Sequence, residues 1–150
     1  MIKEIIKQFQ DMNRHYEPLI QLTEDIFEAL KYKNFDQVEL LNKRQIMLLF
    51  DLERSLQKLK TCIQTHCKTQ GKEEFKLSAL LPHMTVEEKE EVMACQRYAF
   101  TCEKKLKNNI KNNECLVQTM MAAPSILSKT YVELAKEQRL NGNSLLSRKF

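Results

Sequence analysis

The chain predicts an all-α fold: an elongated antiparallel three-helix bundle or coiled coil, with a short helix between the second and third long helices and a loosely attached C-terminal helix. Three observations lead there. Only two glycines and three prolines occur in 150 residues, too few for the many turns of a sheet protein. Apolar residues recur three and four apart over long stretches, the repeat of an amphipathic helix. Lys, Leu, Glu and Gln, all good helix formers, are abundant. The expected division is a helical bundle over residues 1–121 and a C-terminal helix with a tail over 122–150.

The first stripe runs Ile2, Ile5, Ile6, Phe9, Met12, Tyr16, Leu19, Ile20, Thr23, Ile26, Phe27, Leu30. It stays in phase across Pro18, so the spacing predicts either a kinked helix or two helices meeting near His15 to Glu17, because proline lacks a donor and clashes with the preceding turn. Asn34 and Asp36 end the pattern, and Asp36 is the expected N-cap of the next helix. That helix, from about Gln37 to about Cys67, turns Val38, Leu41, Leu48, Leu49, Leu52, Leu56, Leu59 and Ile63 to one face. Lys68 to Phe75 contains the first glycine and reads as a connection. Lys76 to Met84 is a short apolar turn of helix ending around Pro82.

Thr85 followed by Glu88 is a capping-box signature for the third long helix. Its stripe includes Val92, Cys95, Ala99, Cys102, Leu106, Asn109, Ile110, Asn113, Leu116, Val117 and Met120. Asn109 and Asn113 fall on the inward seam and Asn108 and Asn112 on its flank. Polar residues in an apolar seam fix register or partner number at some cost in stability, or mark a place open to water or another chain. Ala122 to Pro124 should interrupt this helix. Ser125 then caps a short helix carrying Ile126, Leu127, Tyr131 and Leu134, which Asn141 and Gly142 end.

Composition narrows function. The formal charge of +4 arises from 24 basic and 20 acidic residues spread along the chain, which does not suit a dedicated nucleic-acid binder. The basic run at Lys104, Lys105, Lys107 and Lys111 lacks interleaved aromatics and reads as a solvated helix face. No apolar run approaches the roughly 20 residues of a membrane span. The N-terminus is interrupted by charges where a signal peptide needs an apolar core, so a cytoplasmic protein without stable membrane insertion is expected.

Chemistry has little support. Phosphate-binding loops, dinucleotide fingerprints, zinc-protease and serine-hydrolase motifs are absent from the sequence. Met12, Ile63 and Leu80 stand three residues before the three histidines, where a di-iron bundle needs glutamate. The five cysteines lie in helix-patterned segments and read as reduced packing residues. Cys62, His66 and Cys67, with Cys95 and Cys102, supply the alternative of a metal- or thiol-responsive helical protein. The expectation is a non-enzyme without a cofactor. What remains is interaction: Met120, Met121, Ile126, Leu127, Tyr131 and Leu134 make an apolar C-terminal surface of the type that amphipathic helices dock on.

The segment EDIFEALKYKNFDQVELLNKRQIMLLFDLE, Glu24 to Glu53, resembles the end of the first helix, the short turn with aspartate and the Leu-rich second helix of the FlgN family, the flagellar type III export chaperones. KLSALLPHMTVEEKEEV is similar to the small helix and acidic start of the third helix in that family. The stretch Leu106 to Gln118 is similar to a family pattern of two asparagines three apart followed by a Leu pair. The resemblance spans about Leu19 to Met121. It implies a chaperone that binds the C-terminal regions of the hook-filament junction proteins FlgK and FlgL, prevents their early assembly and delivers them to the export gate or export ATPase complex. It also implies substrate contacts in the C-terminal part, here Leu116, Val117, Met120, Met121 and the following helix, and gate docking through Tyr131. An open seam also suits a homodimer.

Overall fold

The long helices begin at side-chain caps, Asn34 for one and Thr85 for another, and two helix ends fall at left-handed residues, Lys33 and Gly71. The structure, a computed structural model, describes residues 2–120. Its elements are α1 (Ile2–Asn13), α2 (Tyr16–Lys31), α3 (Phe35–Thr69), the four-residue α4 (Leu77–Leu80) continued by one 3-10 turn (Leu81–His83), and α5 (Val86–Met120). The architecture is all-α, as the periodicity requires. The expected break at Pro124 and the helix beyond it lie outside the described residues.

Pro18 gives two helices rather than a kink. Arg14 and His15 close α1 by donating to the carbonyls of Gln10 and Met12 at 3.1 Å each. Pro18 then occupies the first turn of α2, where a missing N–H costs no intrahelical bond. Because the stripe keeps its phase, Met12, Tyr16 and Leu19 remain within 1% of complete burial on one side of a continuous leg.

α2 ends in a Schellman motif: the Asn34 amide donates to Ala29 O at 2.9 Å and that of Lys33 to Leu30 O at 3.0 Å. Lys33 takes φ 55°, the left-handed region where glycine is usual, at a cost of about 1 kcal/mol. The N-cap of α3 is Asn34, whose side chain accepts from the Gln37 amide at 3.3 Å, and not Asp36. Asp36 lies in the first turn, where its charge complements the helix dipole. α3 closes in the same way, with Gly71 at φ 67° and Lys72 donating to Cys67 O at 2.9 Å. At α5 the capping box is complete. Thr85 N donates to Glu88 Oε1 at 3.0 Å, and Glu88 N to Thr85 Oγ1 at 3.2 Å.

The α1–α2 leg lies between α3 and α5. Both long helices run along it, and their backbones approach the leg rather than each other. The larger apolar cluster joins α1 and the start of α2 to Leu56, Leu59, Ile63 and Cys67 of α3 and to Val92, Ala99, Leu106 and Ile110 of α5. Leu77 and Leu80 of α4 close its end. The smaller cluster lies at the opposite end, where α5 finishes beside the α2–α3 turn. Among the described residues no helix is long and apolar enough to cross a membrane.

Candidate functional site

The smaller cluster is built from Leu22, Ile26, Ala29 and Leu30 of α2, Val38 and Leu41 of α3, and Val117 of α5. Phe35, Leu48, Leu116 and Met120 pack around it half-buried. This end is therefore an apolar core whose α5 edge is incompletely covered. Of the eight residues expected from sequence to bind a partner, Val117 is sealed at 3% exposure, while Leu116 and Met120 lie on the open edge. Met121, Ile126, Leu127, Tyr131 and Leu134 fall outside the described residues.

A polar belt divides the two clusters. Asn113 Nδ2 donates to the backbone carbonyl of Thr23 at 2.9 Å, and Asn109 Nδ2 to Thr23 Oγ1 at 3.0 Å. Thr23 Oγ1 in turn donates to Ile20 O at 2.6 Å. Such bonds are directional, so they set the axial offset of α5 against α2 where apolar contacts alone tolerate sliding. Asn108 and Asn112 are exposed beside them. A cavity of about 490 Å³ borders the belt, lined by Asn109, Asn112 and Asn113 from α5 and by Glu24, Asp25, Phe27 and Glu28 from α2. Asn42 and Gln45 of α3 are also buried, although both stand among residues that the apolar pattern passes over.

Sequence reasoning missed a second apolar surface. Leu40, Met47 and Phe50 on α3 are 47%, 67% and 60% exposed, and Leu48, Leu49 and Leu52, expected in the core, are only half-buried. The dense run at Ile46 to Phe50 conceals this, since so many consecutive apolar residues must spread round the helix.

The basic run on α5 is partly occupied: Lys105 pairs with Glu24 at 3.6 Å and Lys107 with Glu103 at 3.0 Å. Burial governs the thiols of α3 and Cys95. Burial pushes Cys62 up to about 11 and raises Cys67 and Cys95 as well, which disfavours the reactive thiolate. Cys67 donates to Lys76 O at 3.5 Å, tying α3 to the base of α4. It therefore does not join Cys62 and His66 as a ligand set; Glu4 of α1 approaches those two instead. Cys102 belongs to the larger core cluster and Cys95 packs against it.

The FlgN family model, described as FlgN protein, matches residues 1–126. No curated protein and no solved structure matches the chain. The family match covers more than half of the 150 residues and includes every described helix, the asparagine belt and the open edge of α5. This chain belongs to the FlgN family of flagellar export chaperones.

Proposed function

We propose that the protein works in the cytoplasm as a chaperone for the C-terminal helices of the hook-filament junction proteins FlgK and FlgL. It holds them unassembled and hands them to the export gate or export ATPase complex. The carrying observation is the end of α5, where Leu116 and Met120 stay half-buried at the rim of the smaller cluster. An amphipathic client helix placing apolar side chains three and four apart would complete that cluster without unfolding it. Met121, Ile126, Leu127, Tyr131 and Leu134 are assigned to client binding on their sequence pattern, with Tyr131 also assigned to gate docking. Family membership favours this role over a metal- or thiol-responsive protein with no flagellar function.

Titration calorimetry with FlgK and FlgL C-terminal peptides tests the reading on the full chain and on a chain ending at Ala123. Truncation should abolish binding while leaving helicity and melting nearly intact. Unchanged peptide affinity, or collapse of the bundle on truncation, would overturn it. Light scattering of both chains decides whether the free surface closes on a second copy.

A further inference from the structure

We infer that Glu4, Cys62 and His66 form a site for a thiophilic divalent cation of the zinc type, bridging α1 to α3 at the end of the bundle opposite the client surface. The inference is independent of the proposed client.

Cys62 and His66 stand four apart on α3, so both side chains rise from one face of the helix. Glu4, in the first turn of α1, comes to the same point: the three potential ligand atoms lie within 4.8 Å of one another, and Glu4 Oε2 is 3.0 Å from His66 Nε2. Ligand atoms around a tetrahedral zinc, at bonds of about 2.0–2.3 Å, stand roughly 3.3–3.7 Å apart. Closing from the observed spacing therefore requires only side-chain rotations. The residue types also select the ion. A thiolate and an imidazole favour zinc over magnesium or calcium, which require oxygen donors. With Glu4 and Cys62 both anionic, the pair neutralises a dication.

Access is provided. A cavity of about 450 Å³ is lined by all three residues, with room for a water as a fourth ligand. Arg54 and Lys58 also line it, and a charge-neutral metal complex avoids repulsion from them. A purely packing role for Cys62 would account for its place in the core. It would not account for its sulfur meeting an imidazole and a carboxylate at the cavity wall. Metal binding would pin α1, only 12 residues long, to the far end of α3.

The test uses the full untagged chain, stripped with chelator and titrated with zinc in competition with a chromophoric chelator, and with cobalt as a spectroscopic probe. Expected are one equivalent of zinc, a thiolate-to-cobalt charge-transfer band and a melting temperature that rises with zinc. Cys62→Ser should abolish the band, and His66→Gln and Glu4→Gln should each weaken zinc binding at least about tenfold. Cys115→Ser, at an exposed cysteine elsewhere on α5, should change nothing. No stoichiometric zinc, a cobalt spectrum without the thiolate band, or an affinity indifferent to His66→Gln would overturn the proposal. Because His66 is only half-buried, that variant decides the matter even if Cys62→Ser fails to fold.

Discussion

Replacing Asn113 by leucine should stabilise the bundle. The side chain is 1% exposed; Nδ2 makes one hydrogen bond, to the carbonyl of Thr23, and Oδ1 meets no partner among the described residues. Losing a buried neutral hydrogen bond costs about 1 kcal/mol, whereas removing a buried acceptor that lacks a partner relieves about 1–3 kcal/mol. The Thr23 carbonyl lies inside α2, whose own ladder engages it, so the substitution leaves no new orphan. Leucine adds apolar burial, and the adjoining 490 Å³ cavity limits overpacking. The net expectation is a gain of about 1 kcal/mol, read as a urea midpoint shifted upward by roughly 0.5 M at an m-value of about 2 kcal/mol/M. What should decline is specificity, visible as a second set of amide resonances from a slipped α5. A loss of more than about 2 kcal/mol would refute the reasoning, showing Oδ1 to be fully satisfied and the belt to be a net source of stability.

Two further outcomes follow from local chemistry. Thr85→Ala removes half of the capping box at the start of α5 and should lower stability by about 1 kcal/mol in urea melts, with a corresponding loss of helical ellipticity at elevated temperature. Burial raises the pKa of Glu103, against the opposing pull of Lys107, so the folded state holds its proton more tightly than the unfolded chain does. Stability associated with this group is therefore present at acidic pH and lost as pH rises through the carboxylate range. Glu103→Gln should raise the neutral-pH melting temperature, with the difference from wild type vanishing in acid.

The fold was legible because its signals are local. The Thr85–Glu88 box and the glycine at position 71 each act within a few residues and mark the start of α5 and the end of α3, while the stripe across Pro18 located a break without deciding between a kink and two helices. Errors arose where two local signals competed. Asn34 and Asp36 both qualify as caps, and the Schellman geometry at Lys33 selects Asn34. The site was less legible. Leu116, Val117 and Met120 share one apolar stripe, yet only Val117 is sealed, because coverage depends on where α2 ends and α3 begins beside α5. Met47 and Phe50 lie in the apolar run Ile46 to Phe50 and, like Leu40 before it, stand on the outer surface.

The sequence alone determined that the chain is helical, roughly where its long helices lie, and that Asn109 and Asn113 face inward. Tertiary structure decided that those amides meet Thr23, that the α1–α2 leg lies between α3 and α5, and that Glu4 joins Cys62 and His66 rather than Cys67. The physical reason is that the 3.6-residue repeat fixes the direction of each side chain about its own helix axis. Which residues of different helices stand at one height depends on axial offset and crossing angle, and these are set only when all the apolar faces close together.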